Sequence, residues 1–405
     1  MKIAFIGRVT LTSFSNFGEW NRPLPKVKWG FPLGSELVKG LVACGHDVHV
    51  ITESGLETSD VVTGENSQCE IRRGEWVCQV GGAGLLAVHL VPTWKRSRWM
   101  FLTLFTKEVR GIRKIIEEIK PDVVFAQWTY YNAYAGLTSG YPTLVVAHDS
   151  PWRIAWIQKN LQSLIKAFYA QFWVFPKVKH MVAVSPYIAD ELQKWNRYKG
   201  ELKVIPNGIK NYDDMPRTPI RKQATTVVCV ADWSALKNVK TFFRAWSALK
   251  NFYSCSRAIV YGGDLCWEGA AGDWLRTSGL NVDGLDLRGQ VSRDEIDCVL
   301  REEADLFVSP SLEESFGMVF VEAMRLGVPC VGGEKSGAVP WVMGEGGVVC
   351  DVTNPEMLAE CIERVMGDYD LRKKLSEGGR RRAREMFDIM KVVDLYASEL
   401  RRLVK

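Results

Sequence analysis

SPSLEESFGMVFVEAMRLG, residues 309–327, is the stretch on which the reading of this chain turns. An apolar, β-rich run precedes it, Asp305-Leu306-Phe307-Val308, and Gly327 with Pro329 closes it as a helix stop. The pattern predicts a strand, a loop and a short helix. Loops at the carboxyl ends of strands are where open α/β sheets bind ligands. Two carboxylates, Glu314 and Glu322, stand eight residues apart around Ser315-Phe316-Gly317. At a helical rise of ~1.5 Å per residue that spacing spans at most about 12 Å, roughly the reach of a sugar joined through a diphosphate to a ribose. The backbone N–H groups of Phe316, Gly317 and Met318 are expected to point out of the helix start, where they suit hydroxyl or phosphate oxygens.

Outward from this stretch, strand and helix patterns alternate along the whole chain, which predicts an α/β protein with parallel sheets. Lys2–Gly7 reads as a first buried strand, Pro32–Cys44 as a helix and residues 45–51 as the lead into a second strand. A helix is expected over Phe105–Ile119, and strands over Asp122–Ala126, Thr143–Ala147 and His180–Val184. Leu161–Phe175 is expected to be a buried helix whose Phe and Trp side chains are core. Pro206-Asn207-Gly208 is a turn signal, followed by the polar stretch Lys210–Gln223, so a domain boundary falls after Ile205. A second α/β unit starts at Thr226–Val230 and runs through a helix at Val239–Leu249 and strands at Ala258–Tyr261 and Leu285–Arg288. The tail, Asp370–Val404, is helical and charged.

The 405 residues, 47% hydrophobic and 24% charged, describe an ordinary globular chain of two or three domains. The richest apolar candidates for a membrane span are interrupted by charge, Gln162–Phe175 by Lys166 and Leu85–Phe105 by Lys95, Arg96 and Arg98. The amino terminus reads as a buried strand rather than a signal peptide, so a cytoplasmic location is expected. Ten scattered cysteines form no C-x-x-C pair and several, such as Cys229 and Cys330, sit in apolar strands, which predicts reduced core thiols. Net charge is +5 and uneven: residues 1–200 hold 24 Lys and Arg against 16 Asp and Glu, the remainder 28 against 31. The basic first half suits an anionic partner, such as peripheral contact with an anionic membrane, and the mixed Trp94–Phe101 segment reads as a helix with one buried face. No nucleic-acid partner is expected.

The Glu-x7-Glu pair inside its PSxxESFGMxxxEAMxxGxPxV frame resembles the retaining glycosyltransferases of family 4. So do "GHDVHVIT" after the first helix and "VIPNGI" before the boundary. The resemblance implies the GT-B fold: two Rossmann-like domains, residues 1–205 and 206–385, facing across a cleft, with a final helix, 386–405, crossing back to the first. It implies a UDP- or GDP-sugar donor held by the second domain and a glycan, lipid-linked or small-molecule acceptor held by the first. Glu314 would lie by the transferred sugar and Glu322 would hold the ribose hydroxyls.

The same resemblance extends to other positions. Family members carry Gly-Arg and then Lys in the loop that neutralises the donor diphosphate. Here Ala231 and Asp232 replace the first two, and Lys237 matches the last. An acidic residue beside a diphosphate is unfavourable, and Lys240 and Arg293 are the cations that could stand in. Backbone at Val291 is expected to hold the nucleobase. Gly30, ahead of the first helix, corresponds in part to the family's phosphate-approaching Gly pair, and His148 to its strand-end His beside the sugar. No metal or cofactor is expected, since no D-x-D pair occupies a strand end at a donor site. Two other classes fit parts of this pattern: nucleotide-sugar epimerisation on the same fold, and a non-catalytic nucleotide- or sugar-binding subunit.

Overall fold

The structure is a computed structural model. It describes all residues except 22–23, 25–29, 54–74, 80–83, 92–103, 211–219, 251–255 and 405. The Trp94–Phe101 segment and most of the polar stretch after the boundary therefore lie outside the described residues. Two compact units form, one from Met1–Gly208 with Ile389–Lys405, the other from Ile209–Asp388.

The first unit is built on a nine-stranded sheet. Its strands are β1 (Lys2–Ile6), β2 (Glu19–Trp20), β3 (Asp47–Glu53), β4 (Glu75–Gln79), β5 (Leu85–Val91), β6 (Val123–Gln127), β7 (Thr143–Ala147), β8 (His180–Ala183) and β9 (Glu201–Val204). The order is β2-β4-β5-β3-β1-β6-β7-β8-β9. Strands from β5 to β9 in this order are parallel, and the apolar runs of β1, β6 and β7 are what a sheet covered on both faces requires. The expected all-parallel pattern fails only at one edge, where β4 pairs antiparallel with both β5 and β2. β2 has two residues and β4 five, too short to show a period of their own.

The second unit carries β10 (Thr226–Val230), β11 (Arg257–Tyr261), β12 (Leu285–Gly289), β13 (Leu306–Val308), β14 (Cys330–Gly333) and β15 (Gly347–Cys350) in the order β12-β11-β10-β13-β14-β15, all parallel. This is the doubly wound arrangement, with the topological switch point between β10 and β13. Val227, Cys229, Val260, Leu306 and Val308 meet Phe242, Phe243 and Trp246 of the Val239–Lys250 helix in one core. In the first unit the corresponding switch lies between β1 and β6, with β3 on the far side of β1.

One expectation is refined and one changes. The helical tail is broken at Phe387-Asp388 into Tyr369–Met386 and Ile389–Val404. The second of these is amphipathic and returns to the first unit, where Tyr396 lies 5.0 Å from Phe125 and Lys203 pairs with Glu399 at 2.6 Å. The Leu161–Phe175 segment is not one buried helix. It runs as an α-helix over Leu161–Tyr169, a π-helical turn over Ala170–Val174 and a 3-10 turn over Phe175–Lys177. Leu161, Leu164, Phe168, Phe172 and Trp173 are exposed, while Tyr169 and Phe175 are buried. The apolar residues outnumber the positions that one face can bury, so the surplus is left on the surface.

Eight cysteines are described, and all are free thiols. Cys229 and Cys330 are fully buried, and burial pushes both thiols well up, Cys229 to about 12. Among the described residues no helix is long and apolar enough to cross a membrane.

Candidate functional site

In the second unit the loops leaving β10 and β13 rise side by side, because those strands are parallel neighbours at the switch point. The backbone N–H of Leu312 donates to Leu236 O at 2.8 Å and ties the loops together. Asn238 takes a left-handed φ of +51°, a conformation that Asn tolerates after Gly. Its side-chain amide donates to Val352 O at 2.8 Å and Pro310 O at 3.3 Å. This fixes the end of the first loop against the second.

The result is a contact that the sequence separation conceals. The Lys237 ammonium lies 2.5 Å from Glu314 Oε1, with the two side chains only 27% and 18% exposed. Glu314 is held from behind, its carbonyl accepting from the Ala338 N–H at 2.9 Å. Three residues on, Gly317 adopts φ +88° and opens the Met318–Arg325 helix. A side chain is strained at that φ, and a Cβ would also approach the Phe320 ring at 3.0 Å. No side chain caps this helix and its first turn holds no acid, so its leading N–H groups face outward with their partial positive charge. Phe316 itself is buried, its ring 5.5 Å from Phe387 and 6.2 Å from Trp341, so only its backbone is offered to a ligand.

Glu322 is the buried carboxylate of that helix and forms an ion pair with Arg293. Arg293 also reaches Asp297 at 3.3 Å. It opens the Arg293–Glu302 helix directly after the β12 turn that carries Val291, and Ser292 caps that helix through the Glu295 N–H. Val291 is half-buried at the carboxyl end of its strand. Asp232 is exposed. Of the two cations proposed to offset it, Arg293 is committed to Glu322 and Asp297. Lys240 sits over the faces of Trp233 and Trp274, 5.1 and 5.5 Å from the ring centres.

In the first unit, His148 closes β7 and Nε2 makes a 2.8 Å hydrogen bond with Gln127 Oε1, at the end of β6. The imidazole lies tilted against Trp128 at 4.7 Å and meets Phe31 edge-on at 5.5 Å. Burial among these groups pushes its pKa down to about 3. His148 is therefore a neutral hydrogen-bonding group near pH 7, not a proton shuttle. An NMR titration should show no midpoint for His148 near the ordinary histidine value of about 6.5; a midpoint there would return it to the general acid–base candidates. Gly30 precedes the Pro32–Ala43 helix, which starts at Phe31 without a side-chain cap. A Cβ on Gly30 would fall 2.2 Å from Thr10 Oγ1, so the glycine is needed for the close passage of the two loops.

Several residues at this switch point carry no sequence signal of their own. Gln127 ends β6 and Trp128 follows it with φ +65°. Buried Gln127 Nε2, Thr10 Oγ1 and Thr129 Oγ1 find no hydrogen-bond partner among the described residues. Tyr130 Oη donates to Asp149 Oδ1 at 3.0 Å. Burial raises Asp149 to about 6, against the opposing pull of that bond and of Lys166. The strand-end position was the one available clue to all of these.

Comparison with known proteins gives a consistent set of similarities. Residues 212–382 match the family described as glycosyl transferases group 1, and residues 35–211 match glycosyltransferase family 4. An uncharacterized glycosyltransferase of Methanocaldococcus jannaschii is 32% identical over 308 residues, 72% of this chain and 78% of that protein. N-acetyl-alpha-D-glucosaminyl L-malate synthase of Bacillus anthracis is 35% identical over 95 residues, 23% of this chain and only 25% of that protein. The match to D-inositol 3-phosphate glycosyltransferase of Salinispora arenicola likewise spans only 19% of that protein. Among solved structures, sucrose-phosphate synthase from Thermosynechococcus elongatus superposes with a TM-score of 0.72 at 16% identity, covering 100% of this chain and 99% of that one. Anabaena HepE in complex with UDP gives 0.66 at 17% identity, covering 99% and 100%. That protein has also been solved with UDP-glucose.

Proposed function

The chain belongs to the group 1 glycosyltransferases of family 4, with the GT-B fold, and on that premise we propose that it transfers a sugar from a nucleoside-diphosphate sugar with retention of configuration. The observation that carries this reading is the Lys237–Glu314 pair, set at the switch point of the second sheet beside an uncapped helix start. One ammonium and a row of outward N–H groups form an anion-binding surface. A diphosphate carries more charge than one carboxylate and would compete with Glu314 for Lys237. Glu314 would then be released towards the sugar. Glu322 would accept from the ribose hydroxyls, and backbone at Val291 would meet the base. Phe316, Gly317 and Met318 contribute backbone N–H groups. The leaving diphosphate would be stabilised by Lys237 and the helix start, fixed positive groups that need no reorganisation during reaction.

UDP is the base to test first, because Anabaena HepE, which shares the fold, was solved with UDP and with UDP-glucose. The first unit is proposed to take a carbohydrate or lipid-linked acceptor, with neutral His148 and Gly30 as its contributions to sugar and phosphate recognition. Transfer assays with UDP- and GDP-sugars, read by NMR of the anomeric linkage, test the proposal. The expected product retains the donor's configuration and forms undiminished in EDTA. An inverted linkage would remove the retaining assignment, and complete loss in chelator would show that Lys237 and the helix start are not sufficient for the leaving group.

A further inference from the structure

Four Phe and Trp side chains are exposed among the described residues, and all four lie between positions 156 and 173: Trp156 at 62%, Phe168 at 45%, Phe172 at 61% and Trp173 at 38%. Leu161, 72% exposed, and Leu164 join them. The patch is organised. Trp152 meets Phe168 edge-on at 5.0 Å, Phe168 stacks on Phe172 at 5.9 Å, and Tyr169 stacks on Trp173 at 5.8 Å. The π-helical turn at Ala170–Val174 adds a residue to the turn and widens the arc over which these rings are displayed. From Ser150 to Lys179 the chain has five basic residues and no acidic one. Lys159, Lys177 and Lys179 are exposed and lie within or just beyond the stretch of chain that carries the aromatic patch.

A groove of about 610 Å³ adjoins the patch at Trp173 and Tyr169. Its other wall is the Thr106–Ile119 helix, which contributes Arg110, Arg113 and Lys114. Glu117 is the one acid among the lining residues and lies 3.9 Å from Arg113.

We propose that this face of the first unit is a docking surface for an anionic phospholipid membrane. The aromatic ladder enters the headgroup layer, and the Arg110–Lys114 groove receives an anionic lipid headgroup. Three properties favour a bilayer as the occupant. Trp and Phe are the side chains that partition to a membrane interface. The charge along Ser150–Lys179 is of one sign, and three cations outnumber the one acid lining the groove, which complements anionic lipid. The rings are held in place before contact by stacking on one another, which lowers the ordering cost of insertion. The proposal is independent of the donor chemistry, since its readout is vesicle binding rather than transfer.

The full chain, co-sedimented with vesicles, is expected to bind those containing phosphatidylglycerol and not those of phosphatidylcholine alone. Its tryptophan emission should shift to the blue on binding, and added salt should weaken the association. Lys159→Glu, Lys177→Glu and Lys179→Glu together should lower partitioning at least about a hundredfold, at roughly fivefold per lost surface cation. Trp156→Ser with Phe172→Ser should abolish the blue shift. The lysines are exposed, so their triple variant tests the proposal even where the aromatic variant folds poorly. Equal binding to both vesicle types, or unchanged binding by the lysine variant, would overturn it. So would self-association of the chain that disappears in the aromatic variant without any vesicle binding, since the patch would then join two copies of this protein.

Discussion

Lys237→Ala should reduce transfer by about a hundred- to a thousandfold in kcat, the loss expected when one fixed donor to a developing negative charge is removed. Asp232→Ala should leave transfer intact or improve it. The two residues sit in one loop at the end of β10, yet the structure separates them sharply. Lys237 points across the switch point and lies 2.5 Å from Glu314. Asp232 is exposed. The neighbouring cations are engaged elsewhere, Lys240 over two indole rings and Arg293 with Glu322 and Asp297. Lys237 is the one cation of this loop and the proposed contact to the diphosphate. Removing the Asp232 charge should only relieve repulsion. Steady-state kinetics on the two variants, with thermal unfolding to verify the fold, measure the contrast. If Asp232→Ala destroys activity in a folded protein, Asp232 has a positive role in sugar or acceptor contact.

Glu322→Ala should weaken nucleoside-diphosphate binding by about 1.5–3 kcal/mol, roughly ten- to a hundredfold, the value of a hydrogen bond made to a charged group. Glu314→Ala should cost less and can raise affinity for the free diphosphate, because it removes the carboxylate that occupies Lys237. The structure adds a complication with a testable sign. Glu322 is ion-paired with Arg293, so its loss also leaves a cation beside the site. The double variant Glu322→Ala, Arg293→Ala separates the effects: if the ribose contact is what matters, it should bind no better than Glu322→Ala alone. Calorimetry with free UDP and GDP reads all four affinities. Undiminished affinity in Glu322→Ala would remove the ribose assignment.

Much of the architecture was legible from periodicity. β1, β6, β7, β10 and β13 are short unbroken apolar runs, and only a strand buried on both faces needs that composition. The helix start at Gly317 was legible because the strand, the loop and the stop at Gly327 lie within one short stretch. Elements without a local period were not legible, and the antiparallel edge at β4 exists only because β5 offers it hydrogen-bonding partners. The Leu161–Phe175 segment departs from its expected burial for a related reason. Hydropathy records how apolar a side chain is, not whether the fold has room to bury it, and Phe172 and Trp173 are left at the surface.

By itself, then, the sequence determined the α/β class, the order of those strands and helices that carry a local pattern, and the loops that hold charged residues at strand ends. Those properties depend on near neighbours along the chain. Only the tertiary structure decided which loops meet. Lys237 and Glu314 are 77 positions apart, and what brings them into contact is the pairing of β10 with β13, which reverses the direction of sheet growth at that point. It likewise set Arg293 against Glu322, turned Lys240 onto two indole rings, and lowered the pKa of His148 by enclosing it between Trp128 and Phe31. Charge pairing and desolvation act over a few ångströms in space, and distance along the chain carries no record of them.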